Sequence, residues 1–143
     1  MSLTALQKPL VVAGAVLFLL GLLQGAGVQL FANPRMALSA HLTAVQSGMA
    51  MMIAGALWPA LSLRPRTGSI GRLAIIAGMY GLWIGLTLSA ATGASEALPI
   101  AGAGHSADPV SEKVVSAVVL GSSILMTLGW LLFVIGIIRS KRA

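Results

Sequence analysis

Apolar side chains run along the chain in four long blocks, residues 9–31, 36–63, 73–94 and 114–138, and every Asp, Glu, Lys and Arg falls outside them. Each block reaches the roughly 20 residues that a helix needs to cross a bilayer. The pattern predicts an all-α fold, a four-helix transmembrane bundle forming one domain over residues 1–143. The first block follows a single Lys8 and ends in small residues, as a secretory signal does, but it has full spanning length and is read as a retained helix.

The connections between blocks are unequal. Asn33-Pro34 stops one helix and starts the next within a tight polar turn, and 64–69 reads as a second short turn. The third connection, 95–113, is longer, rich in Ala, Gly and Pro, and carries Glu96, His105, Asp108 and Glu112. A loop of that length in so small a chain points to function or disorder. Its run Ala97-Leu98-Pro99-Ile100-Ala101 is apolar enough to dip back against the bundle.

Composition strengthens this picture. The chain is 57% hydrophobic and 8% charged, far from the roughly 25% charge of soluble domains. Nine Lys and Arg face three Asp and Glu, and the basic residues are unevenly divided. Lys8, Arg64, Arg66, Arg72, Arg139, Lys141 and Arg142 fall at one end of a four-span bundle, whereas Arg35 and Lys113 share the other end with all three acids. The positive-inside bias then predicts both termini in the cytoplasm and a multi-pass protein of the cell inner membrane. No basic stripe interleaved with aromatics is present, so nucleic acid is not an expected partner. Zero cysteines exclude disulfides, thiolate metal sites and a cysteine nucleophile.

No span contains a carboxylate, which argues against a proton- or cation-coupled carrier. Gly21/Gly25 and Gly81/Gly85 place small residues four apart, the spacing of close helix packing in lipid. Most intramembrane hydroxyls can return a hydrogen bond to their own helix. His41 cannot satisfy both ring nitrogens that way, so it either bonds a neighbouring helix or ligates a metal or haem iron. It lies five residues after Met36, about 7–8 Å into its helix. Beside it run Ala44, Val45, Gly48, Met52 and Gly55, a small apolar face on which a flat macrocycle could rest. Tyr80, mid-span and three residues before Trp83, needs a partner for its hydroxyl in another helix or a ligand. Trp58 and Trp130 stand near helix ends and read as interfacial anchors.

The segment Leu19-Leu20-Gly21-Leu22-Leu23-Gln24, then Phe31-Ala32-Asn33-Pro34-Arg35-Met36-Ala37-Leu38-Ser39-Ala40-His41-Leu42 and later Gly48, resembles the (hydroxyamino)benzene mutase family. Tyr80, Trp83 and Pro99-Ile100-Ala101 extend the likeness along the chain. That family in turn resembles the styrene oxide isomerases, small membrane proteins carrying haem b between the protomers of a trimer. The resemblance implies a homotrimeric isomerase that rearranges a small apolar aromatic hydroxylamine or epoxide through Lewis-acid iron. It implies His41 as the iron ligand, with Gly48 beside the macrocycle and Tyr80 and Ser47 orienting substrate. Where these families tend to carry amides, this chain has Ser47 and Leu82.

A haem at His41 would place its propionates near the membrane surface, where bare carboxylates need polar partners. Arg35, six residues earlier and thus about 9 Å along the axis, is the expected partner. Two other readings stay open on the sequence: a non-catalytic haem- or quinone-associated subunit, and a purely structural membrane protein.

Overall fold

A computed structural model describes residues 2–140; Lys141 and Arg142 of the predicted basic end lie outside them. Among the described residues the regular structure is entirely helical. Four helices, α1 (Lys8–Ala26), α2 (Pro34–Leu57), α3 (Pro65–Thr92) and α4 (Pro109–Ile138), account for most of the chain. All four are long and apolar enough to cross a membrane.

Their starts follow from local chemistry. Each helix has a proline in its first turn, where the missing N–H costs nothing because the first amides of a helix have no internal partner. Asn33 caps α2 by accepting from the Met36 amide at 3.1 Å, and Asp108 caps α4 through the amides of Val110 and Ser111. The Ser111 hydroxyl, 2.6 Å from Asp108, and then the two amides hold the Asp108 carboxyl below its usual range. Two helices run beyond their apolar blocks. Residues 64–69, expected as a turn, instead supply the cap and first turn of α3, and Glu112 and Lys113 lie inside α4. At its far end α3 stops at Gly93, whose φ of +83° is one that glycine adopts readily.

The bundle consists of two tight hairpins, α1 with α2 and α3 with α4, joined along α2 and α3. Both glycine pairs serve as seams. A Cβ on Gly21 would come within 2.8 Å of Ala44 on α2, and one on Gly85 within 2.8 Å of Val119 on α4. The core along the seam includes Leu10, Leu17, Ala44, Met51, Ile75 and Met79. Trp58 departs from its expected role as a lipid-facing anchor: it is only 4% exposed and packs on Phe133 at 5.7 Å.

The α3–α4 loop folds back as expected, with Leu98 and Ala101 packed on Met36, Leu86 and Ala90, while Ile100 stays exposed. Two polar side chains hold it. Asn33, 1% exposed, donates from Nδ2 to the Ala101 carbonyl. Glu112, 5% exposed, accepts from the amides of Ser95, Glu96 and Ala107 at 3.0–3.1 Å. Donors gathered on a buried carboxylate have no water to replace it. Glu112→Gln should therefore speed hydrogen exchange at residues 95, 96 and 107 by roughly tenfold or more and leave α1 and α2 protected. Unchanged exchange at those amides would show that the Glu112 carboxylate does not hold the loop.

Candidate active site

His41 sits on the second turn of α2, half-buried against α1. Its Nδ1 lies 2.7 Å from the Gly21 carbonyl oxygen. A carbonyl can only accept, so Nδ1 carries the proton and the neutral ring keeps its lone pair on Nε2. That nitrogen makes no hydrogen bond to any described residue. The neighbouring turn of α1 makes room for the ring, because a Cβ on Gly25 would come within 2.7 Å of it. The Gly21/Gly25 pair thus does two things: it lets the helices touch, and it seats and orients an imidazole. An anchored Nδ1–H opposite a free Nε2 is the arrangement by which metal-bound histidines are held. It suits haem iron, which asks a single axial nitrogen of the protein. Among the described residues no three His, Cys, Asp or Glu converge as the ligands of a bare metal ion.

The small face expected beside a macrocycle is already occupied. A Cβ on Gly48 would meet the Gly14 carbonyl and the Phe18 backbone at 2.7 Å, and one on Gly55 would meet Val11. Gly48 therefore serves helix packing, for a physical reason: a strip of small residues suits a neighbouring backbone as well as a flat ligand. The open surface near His41 lies outward, between Leu38 and Leu42, which are 47% and 46% exposed. Arg35 is exposed on the first turn of α2, at the same end of the bundle as the acidic residues.

Tyr80 donates its hydroxyl to the Ala13 carbonyl at 2.8 Å, so its partner is another helix. Ser47 is buried beside Gly48, which touches Gly14 of α1, and Tyr80 bonds the adjoining Ala13, so Ser47 and Tyr80 share a depth. His41 lies at a different one. The α1 carbonyls that receive His41 and Tyr80, Gly21 and Ala13, are eight residues apart, about 12 Å along the helix. One chain sets Tyr80 at the depth of Ser47 but not at that of His41.

What does lie at the level of His41 is a polar cluster that the sequence did not assign. Gln24, between Gly21 and Gly25, accepts from the Trp83 indole at 2.6 Å and donates to Thr87 at 3.0 Å. Thr87 returns its proton to the Trp83 carbonyl. These bonds tie α1 to α3 where α1 holds the histidine. Gln24 and Trp83 both needed partners in an apolar span, which was the available signal; their pairing depends on how α1 and α3 meet.

A lone oriented imidazole on a four-helix scaffold of membrane-spanning length defines the class, and sequence comparison assigns the family. The styrene oxide isomerase family profile matches residues 6–138. Hydroxylaminobenzene mutase HabA of Ectopseudomonas oleovorans is 37% identical over 135 residues, 94% of this chain and 100% of that protein. Hydroxylaminobenzene mutase HabB of the same organism is 34% identical over 122 residues, 85% of this chain and 74% of that protein. No solved structure matches the chain significantly. The chain belongs to the styrene oxide isomerase family and is an isomerase of the mutase type.

Proposed function

We propose that this protein is an inner-membrane isomerase, with both termini cytoplasmic, that rearranges a small aromatic hydroxylamine or epoxide dissolved in the bilayer. The family supports the reaction type, and the four apolar helices support the membrane setting. Hydroxylamine rearrangement is the first choice, because relatives of that name cover nearly the whole chain. The nitrogen–oxygen bond breaks and a ring carbon–oxygen bond forms, the proton leaving that ring carbon is matched by one gained at nitrogen, and atoms and electrons balance without an external reductant.

The observation that carries the mechanism is the His41–Gly21 bond, which leaves Nε2 free to hold haem b. When bound, the haem iron would supply Lewis acidity at the substrate oxygen. His41 would hold the haem, and the Gly21 carbonyl would keep the imidazole in the tautomer that ligation needs. Arg35, exposed at the same end of α2, would offer a cation to the propionates. Because α1 fills the small face at Gly48, the macrocycle would lie on the outer surface by Leu38 and Leu42, where a second copy could enclose it. The homotrimer implied by the resemblance would meet that need. Ser47 and Tyr80, at a different depth from His41, would act as positioning residues for the helices that carry the site, Tyr80 through its bond to α1.

The test is direct. Purified protein supplied with haem is incubated with hydroxylaminobenzene, and separately with styrene oxide, without any electron donor. The expected result is an aminophenol of unchanged mass from the first. Turnover of styrene oxide alone would move the substrate to the epoxide class, and turnover of neither would reject the reading.

A further inference from the structure

At the end of the bundle opposite the acidic loop, the α2–α3 connection encloses a cavity of about 210 Å³. Its walls combine apolar side chains, Leu6, Leu61 and Leu63, with Arg64, Arg72 and Trp58. Arg72 is fixed there. Its guanidinium lies 5.5 Å above the Trp58 ring and donates to the Ser69 hydroxyl at 3.2 Å. That bond uses one of five N–H donors. Trp58 adds a second unanswered group. The residue is 4% exposed and its indole N–H has no hydrogen-bond partner among the described residues. It faces the space beside Gly68, where a Cβ would still stand 3.8 Å from Nε1. The protein supplies no carboxylate side chain to neutralise this corner, since Glu96, Asp108 and Glu112 are all at the other end.

Two arginines and an unpartnered indole N–H that stays accessible from one apolar-walled cavity call for an anion with several acceptor oxygens attached to something greasy. We propose that this cavity binds the phosphate headgroup of an acidic phospholipid, with Arg64, Arg72 and the Trp58 indole on the phosphate oxygens and an acyl chain running along the apolar wall. The charge complementarity argues for an acidic lipid over a zwitterionic one, whose own cation would meet the arginines. The site is separate from His41, so it stands whether or not the proposed reaction does.

Native mass spectrometry of the detergent-purified protein, titrated with dioleoylphosphatidylglycerol or dioleoylphosphatidylcholine, tests this. The acidic lipid should be retained at least about tenfold more tightly, with inorganic phosphate unable to displace it. Arg72→Ala should erase that preference, whereas Arg139→Ala, which removes a charge from the same end but not from the cavity, should preserve it. Gly68→Leu fills the space without changing any charge and should weaken the acidic lipid as Arg72→Ala does. Equal retention of both lipids by the unaltered protein, or equal losses in Arg72→Ala and Arg139→Ala, would overturn the site. So would an undiminished preference in Gly68→Leu. Displacement by inorganic phosphate alone would assign the cavity to a free anion and overturn the lipid.

Discussion

Alanine at position 41 is expected to reduce isomerase turnover to the uncatalysed background and, on the proposed haem ligation, to remove the haem absorbance band, while the helical circular dichroism is retained. The reasoning rests on the ring's surroundings. His41 is half-buried and among the described residues hydrogen-bonds Gly21 alone, so its loss removes modest packing and the nitrogen proposed to hold iron. A glycine variant rescued by added imidazole would separate a ligand from a packing residue, because free imidazole restores a ligand and does little for the fold. Gly25→Ala sharpens the test. Its new Cβ would fall 2.7 Å from the imidazole, forcing the ring off its carbonyl while leaving the histidine in place. Disturbing the group that orients a metal-bound histidine costs about 10–100-fold in affinity, so haem retention should fall by that order. Arg35→Ala should lower haem occupancy without moving the band, as loss of a propionate partner would. Full haem content and turnover in His41→Ala would overturn the assignment of this residue.

The sequence reveals the number and type of helices more clearly than their ends. Apolar blocks mark what can lie in lipid, whereas a helix continues until its backbone finds a cap. α3 therefore begins at Pro65, ahead of its block at 73, and α4 at Pro109, ahead of 114. Both starts were written in the prolines and in Asp108. The candidate site was partly legible for a similar reason. An imidazole within a span stands out by chemistry, and Gly21/Gly25 by spacing, but that the second pair seats the first requires knowing how α1 lies on α2. The same packing turns Gly48 inward and gives Tyr80 a backbone carbonyl to bond. Trp58 shows the limit from the other side: at a helix end it suits the membrane interface, yet the fold buries it beneath Arg72.

Gly48→Ala is expected to be among the most destabilising single-methyl changes in the chain. The contact is reciprocal and made of backbone: a Cβ on Gly48 would stand 2.7 Å from the Gly14 carbonyl and from the Phe18 amide nitrogen, and a Cβ on Gly14 would stand 2.6 Å from the Gly48 carbonyl. No rotamer change can relieve such an overlap, so α1 and α2 must separate along their length. Overfilling a packed core costs about 1–3 kcal/mol and sometimes more; with backbone on both sides, about 3 kcal/mol or more is expected here. Gly121→Ala provides the contrast, since a Cβ there meets nothing within 4 Å. In a helix interior alanine is favoured over glycine by up to about 1 kcal/mol, so that variant should be as stable as the parent or slightly more so. Unfolding of the haem-free protein in mixed detergent measures both, and the haem-free state decides what Gly48 is for. If Gly48 served mainly as a platform for the macrocycle, Gly48→Ala would unfold like the parent without haem and differ only in its presence. A fall in stability without haem, with Gly121→Ala unaffected, is the result that helix packing requires.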